Sequence, residues 1–274
     1  MPTESIVGPG EVQRLGCLEL RGGNHRASYS TALPGLDVWV FSRPLQPSDK
    51  GGDLHYLSVC SKGVVSRVTL ADIAGHGEIV SQAATRLRDA LRLHSDTWDQ
   101  SALIRQLNDT FLSGRDHARE YATAFIVSYY GQTGELLFTN AGHPPPLWYK
   151  AATQEWTLMQ DSTPRSKSIT DLPLGLIPGT SYTQTAVDLE MGDLLLLYTD
   201  GVSESENEAG DQLGLNRLLN LARRLPATSA RDAGKALLAA IERYRGGAPA
   251  ADDETVIALQ RAPIPPAQWL PAEV

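Results

Sequence analysis

Cysteine is scarce in this chain, with only Cys17 and Cys60 among 274 residues. Neither belongs to a C-x-x-C pair, which excludes a disulfide framework and a cysteine-built metal site. A reducing compartment is the simplest expectation. Basic charge is also short: 24 Lys and Arg stand against 32 Asp and Glu, a net charge of −8. A general nucleic-acid binder needs a basic face to neutralise phosphates, so no nucleic-acid partner is expected. Long apolar runs are missing too. The longest aliphatic run is Leu194 to Leu197, far below the ~20 residues that a membrane helix requires. The start, Met1-Pro2-Thr3-Glu4-Ser5, lacks the basic region and apolar run of a secretion signal. The expectation is a cytoplasmic protein with no membrane partner. No internal repeat and no linker stand out.

What is present suits a globular body. Hydrophobic residues make up 42% and charged residues 20%, and the length is ample for a real core. Residues 1–34 carry little periodicity beyond a short strand near Cys17 to Leu20, and read as an N-terminal extension. The body begins at Leu33-Pro34-Gly35-Leu36. Strands are expected over Asp37 to Arg43, Gly51 to Val59 and Val64 to Ile73, with Pro44 to Lys50 as a loop. From Gly77, the recurrence of Ile79, Ala83, Leu87, Ala90 and Leu91 predicts a helix with one buried face. A second helix spans Gln100 to Leu112, capped by Asp99 or Ser101. Tyr121 to Tyr130 and Glu135 to Asn140 form a hairpin around Gly131-Gln132-Thr133-Gly134. A stiff corner at Pro144-Pro145-Pro146 precedes a strand to Lys150, and residues 161–170 read as an exposed loop. Leu194 to Tyr198 is a buried strand. Helices follow at about 214–225 and 229–245, divided by Pro226, and Glu254 to Gln260 is a last buried strand. Residues 263–274 read as a tail. Strands in groups with helices in pairs between them predict an α+β body over 35–262, with sheets covered by helices.

Four acidic motifs punctuate this plan: Gly51-Gly52-Asp53, Asp72-Ile73-Ala74-Gly75-His76-Gly77, Tyr198-Thr199-Asp200-Gly201 and Asp252-Asp253-Glu254-Thr255. Each sets an aspartate at the end of a strand-like run, beside glycine or a turn. A strand end fixes a carboxylate, and glycine lets backbone approach a hard cation closely. Taken singly, each has an ordinary explanation. The first and third could be turns, and the last a solvated acidic corner. Asp72 could sit near a helix dipole, or its loop could cradle an anion. Together they predict an oxygen-rich site for Mg²⁺ or Mn²⁺. His143, before three prolines, reads as structural. His25, His55, His94 and His117 show no ligand spacing, and Glu204, Glu206 and Glu208 read as a solvated loop beside substrate access.

The chain resembles the PPM/PP2C-type Ser/Thr phosphatases, in their bacterial SpoIIE- and RsbU-like branch. The resemblance runs from about Leu33 to Arg261. Besides the four motifs it rests on Leu33-Pro34-Gly35-Leu36, Asn140-Ala141-Gly142-His143-Pro144-Pro145-Pro146, Leu172-Pro173-Leu174-Gly175 and the run Gly192-Asp193 through Val202. It implies an α-β-β-α sandwich of two antiparallel sheets flanked by helices, with two Mn²⁺ or Mg²⁺ ions in a cleft at one edge. By motif, Asp72 would bridge both ions, Asp200 and Asp252 would hold the first, and Asp53 with the Ile73 carbonyl the second. Asp253 is a weaker candidate. Asp72 and Asp200 would be the catalytic pair.

The implied activity is hydrolysis of phosphoserine or phosphothreonine on a regulatory partner, commonly a STAS-type anti-anti-sigma protein. Two cations about 3.5–4 Å apart would acidify a bridging water, whose hydroxide attacks, and clamp the phosphoryl oxygens. No protein nucleophile is needed. No general acid is assigned: relatives of eukaryotic type have a histidine soon after the bridging aspartate, where this chain has Ile73 and Ala74, and His76 is displaced. Two alternatives stay open, a non-catalytic phosphatase-like binding module and a two-metal hydrolase of a small phosphoester.

Overall fold

The structure is a computed structural model describing residues 13–15, 20–45, 47–60, 63–75, 78–97, 99–113, 120–159 and 170–264. His76, Gly77, Cys17, His117 and nearly all of the expected loop at 161–170 lie outside these residues.

Two sheets carry the fold. One has six strands in the order β11-β8-β7-β6-β5-β2, built from Leu20–His25 (β2), Lys50–Val59 (β5), Val65–Ile73 (β6), Ala122–Tyr130 (β7), Glu135–Ala141 (β8) and Thr185–Asp188 (β11). The other has seven in the order β1-β3-β4-β13-β12-β9-β10. Its strands are Gln13–Arg14 (β1), Ala27–Leu33 (β3), Leu36–Arg43 (β4), Leu147–Lys150 (β9), Glu155–Leu158 (β10), Leu194–Tyr198 (β12) and Glu254–Arg261 (β13). All pairings are antiparallel except the two-residue β1 against β3. Within the stretch read as an extension, β2 and β3 take places in the two sheets, β2 beside β5 and β3 beside β4. Gly22, Gly23 and a run of small polar residues disguise them, because such strands lack the apolar alternation that marks a half-buried strand.

Three apolar clusters stack as layers. Val38, Val40, Leu57, Val68, Leu70, Phe125, Leu195, Leu197 and Ile257 fill the space between the sheets. Leu54, Tyr56, Ala71 and Ile73 face outward from the six-stranded sheet. They pack under Glu78–Leu93 (α1) and Gln100–Ser113 (α2) through Val80, Leu87, Leu91, Leu103 and Phe111. Trp39, Leu196 and Val256 do the same for the seven-stranded sheet, under Asp200–Ser203 (α3), Gly214–Ala222 (α4) and Ala230–Arg245 (α5). This is the expected α-β-β-α sandwich.

The helix ends follow local chemistry. The Asp99 carboxylate accepts from the N–H groups of Ser101 (2.8 Å) and Ala102 (3.1 Å), which makes it the cap of α2. Ser229 caps α5 by accepting from the Asp232 N–H, and Gly246, at φ 65°, closes that helix in the left-handed region. A buried ion cluster fixes α5 to the sheet: Glu254 on β13 accepts from both Arg245 of α5 and Arg43 of β4.

Candidate metal centre

Strand alternation decides where the functional side chains point. Residues two apart share a face. Asp53 shares its face with Leu57 and Val59, and Asp72 with Val68 and Leu70, all of the inter-sheet core. Both aspartates therefore emerge between the sheets, and they are direct cross-strand partners. The same parity on the other sheet brings in Ser42 after Val38 and Val40, Thr199 after Leu195 and Leu197, and Thr255 before Ile257 and Leu259. At this end the apolar core thus gives way to carboxylates and hydroxyls.

The two acidic motifs of the seven-stranded sheet meet there. Asp200 opens the single turn of α3 directly after β12, and Asp252 and Asp253 immediately precede β13, its partner strand. The Gly201 backbone passes so close to this segment that a Cβ at 201 would lie 2.0 Å from the Asp253 carbonyl oxygen. Gly52 has a different reason. A Cβ there would lie 2.8 Å from the Ile73 carbonyl oxygen and 3.5 Å from Asp72 Oδ1. Those two oxygens border one point above Gly52 that a side chain would fill.

The electrostatics mark these groups as one cluster. Burial, then the charges of Asp200, Asp252 and Asp253, push Asp72 up to about 7. Asp53 is driven well above the usual carboxylate range by burial first and Asp72 second, against the Thr199 hydrogen bond. Asp200 is raised by desolvation and then by Glu204, with the Gly201 N–H opposing. Asp252, at the exposed rim, is raised by partial desolvation and by Asp200 and Asp253, while the Asp253 N–H donates to it. Among the described residues none of these aspartates forms an ion pair with Lys, Arg or His. Among the same residues no three carboxylate, imidazole or thiol groups converge as a ready ligand cage.

The donor set fits hard divalent cations. It offers carboxylates and a backbone carbonyl, with no sulfur and no clustered imidazole. Asp53, Asp72, Ile73, Asp200 and Asp252 are all brought to this end of the sandwich. Asp253 is occupied otherwise: its Oδ1 accepts from the Leu45 N–H and its Oδ2 from the Gly52 N–H, each at 2.6 Å.

Sequence reasoning missed two supports. Thr199 Oγ1 donates to Asp53 Oδ2 at 2.8 Å. Thr123, the cross-strand partner of Asp72, bonds His143 Nδ1 at 2.8 Å, and Asn140 pins the His143 backbone with two side-chain hydrogen bonds. Thr199, Asn140 and His143 sit inside motifs already visible in the sequence and Thr123 in the expected hairpin strand, but only strand parity assigns their direction. Burial pushes the His143 imidazole down to about 3, so it is neutral at ordinary pH, as a structural histidine would be.

Comparison with known proteins agrees with this architecture. The chain is 23% identical over 197 residues to the phosphoserine phosphatase RsbU of Bacillus subtilis, covering 70% of this chain and 55% of RsbU. It is 25% identical over 251 residues to the phosphoserine phosphatase RsbP of the same organism, covering 88% and 56%. The chain therefore spans about half the length of the curated relatives it matches. Among solved structures, the RsbU and RsbW domains of Rv1364c from Mycobacterium tuberculosis superpose with a TM-score of 0.71 at 24% identity, over 88% of this chain and 64% of that one. The SiaA PP2C domain of Pseudomonas aeruginosa gives 0.67 at 18% identity, over 81% and 85%. RsbX, solved in complex with magnesium, gives 0.62 at 14% identity, over 86% and 100%. At these identities the structures establish the shared fold. The model of the Stage II sporulation protein E (SpoIIE) family matches residues 64–262, and the chain belongs to that family.

Proposed function

We propose that this chain is a metal-dependent PPM-type protein phosphatase acting on phosphoserine or phosphothreonine of a regulatory protein. The observation that carries the reading is the set of aspartates gathered at one end of the sandwich. Carboxylates from both sheets raise one another's proton affinity, with no basic side chain among the described residues to neutralise them. Such a cluster is costly unless cations complete it.

Asp72 would bridge two ions, Asp200 and Asp252 would hold one, and Asp53 with the Ile73 carbonyl the other. Mg²⁺ or Mn²⁺ bound there would supply an acidified water and offset charge on the phosphoryl oxygens. The chain's own part is to hold these oxygens on rigid strand ends, to keep Gly52 free of a side chain so that the Ile73 carbonyl stays open, and to bring Asp200 to Asp72 through α3. No protein nucleophile enters the reading.

The names of RsbU and RsbP support phosphoserine as the substrate class. We extend this to a STAS-type anti-anti-sigma partner in the cytoplasm.

The test is hydrolysis of a phosphoserine peptide by the purified chain with Mn²⁺, with Mg²⁺ and with chelator, beside Asp200→Asn. The expected result is turnover that requires the metal and is lost in the variant. Turnover that survives both chelator and Asp200→Asn would reject the reading.

A further inference from the structure

Thr199 joins β12 to α3 and stands at the N-cap position of that short helix, with extended backbone (φ −83°, ψ 168°). A threonine in this place ordinarily turns its hydroxyl onto the N–H two or three residues ahead. Here it makes no such bond. The hydroxyl instead donates its single proton to Asp53 Oδ2 at 2.8 Å and accepts the Thr255 N–H at 3.0 Å. Its backbone is fixed as well, since the Thr199 N–H donates to the Thr255 carbonyl at 3.1 Å. Thr199 and Thr255 are fully buried, and Asp53 nearly so.

Three consequences follow from this geometry. A hydroxyl that accepts an N–H on one side has its proton directed to the other, and the β-branched side chain is stiff about χ1. The donated bond therefore commits Oδ2 and restrains the rotation of the Asp53 carboxylate, on which the Thr255 side chain also bears, leaving Oδ1 uncommitted by Thr199. The bond also links the two sheets, because Asp53 belongs to β5 of the six-stranded sheet and Thr199 directly follows β12 of the seven-stranded one. Finally, Thr199 is bonded through the chain to Asp200, so one residue ties Asp53 on β5 to Asp200 at the start of α3.

We propose that Thr199 is a positioning residue for the metal centre: its hydroxyl orients Asp53 toward the cations and couples it to the strand end that carries Asp200. The forfeited helix cap accords with this, because the fold gives up a favourable local bond for the long-range one. The inference rests on the metal-site reading above. It differs from a role in binding metal, which Thr199 does not have.

The test is calorimetric titration of Mn²⁺ into the wild-type chain, Thr199→Val, Thr199→Ser, Asp53→Asn and the double variant Asp53→Asn/Thr199→Val. Valine keeps the shape and removes the hydroxyl, so the expected loss of Mn²⁺ affinity is about 10–100-fold, the usual effect of removing a group that orients a ligand. Serine restores affinity to near the wild-type value. In the Asp53→Asn background Thr199→Val adds no further loss, which separates an effect through Asp53 from general loosening. Where Thr199→Val does not fold, Thr199→Ala is titrated instead. Failure of both to give a cooperative melt, with Thr199→Ser intact, would make the residue structural and overturn the inference. Undiminished affinity in Thr199→Val beside a wild type that binds would overturn it alone. A wild type that binds no Mn²⁺ would overturn the phosphatase reading together with it.

Discussion

Asp53 and Asp72 stand directly opposite each other on β5 and β6, with both carboxylates on the face that meets the second sheet. Like charges so placed in a sheet oppose folding, and Asp200, Asp252 and Asp253 add to the field at Asp72. A divalent cation should therefore stabilise the chain. With Mn²⁺ at about 100 times its dissociation constant, mass action gives roughly 2.7 kcal/mol and a melting temperature higher by roughly 5–10 °C. Asp72→Asn should melt in chelator no lower than the wild type, show no Mn²⁺ shift, and lose more than about 100-fold in turnover. A thermal melt with and without metal reads the first two, and a phosphopeptide assay the third.

Gly201 is required by space. A methyl group there would meet the Asp253 carbonyl at 2.0 Å, which is backbone and cannot swing aside. Gly201→Ala should destabilise the chain by about 1–3 kcal/mol or more and also displace Asp200, its neighbour. The denaturant midpoint reads the first effect. A midpoint unchanged from wild type would show that the α3 turn gives way freely.

The buried Glu254 accepts from Arg245 and Arg43. Burial raises its pKa, while the two arginines oppose that rise. Glu254→Ala would leave the buried Arg245 guanidinium with only the exposed Glu242 at 3.7 Å, with an expected cost of about 3–5 kcal/mol. The paired replacement Arg245→Met/Glu254→Leu should recover most of it, since the buried pair is then removed together and the partly exposed Arg43 keeps Glu242 at 2.7 Å. Urea unfolding of the three proteins tests the pair. Equal loss in the single and double variants would assign the effect to packing alone.

His143 predicts a pH dependence. Its folded pKa is lowered to about 3 by burial, against an ordinary value of 6.5. The unfolded chain therefore takes up the proton first. The stabilisation is full above pH 6.5 and is lost as pH falls from there toward 3. His143→Gln lacks the titrating group, so the wild type should lose stability relative to it over that window. Unfolding free energies measured at pH 7.5, 6, 5 and 4 test this; a constant difference between the two proteins would reject it.

Much of the body was legible in the sequence. The apolar runs of β12 and β13 and the spacing of Leu103, Ile104, Leu107 and Phe111 on α2 are strong signals, because burial on one face imposes a period. The strands β2, at a sheet edge, and β3, between β1 and β4, carried no such signal, since glycines and small polar residues satisfy a ladder without alternating. For the candidate site, the sequence could single out the aspartates as expected ligands, because carboxylates at strand ends next to glycine suit a hard cation, and the fold brings them to one end of the sandwich.

The sequence by itself thus determined the residue types, their order and the chemistry that they can support. Tertiary structure alone decided their relations. Cross-strand register set Asp53 against Asp72, and strand parity turned Thr199, Thr255 and Ser42 toward the same end of the core. The approach of the 252–253 segment to Gly52 and Leu45 drew Asp253 into backbone hydrogen bonds. Asp53 and Thr199 are 146 residues apart, and local patterns carry no information on contacts between such distant positions. Sheet pairing supplies it, because one residue of register fixes the facing of every side chain along the strand.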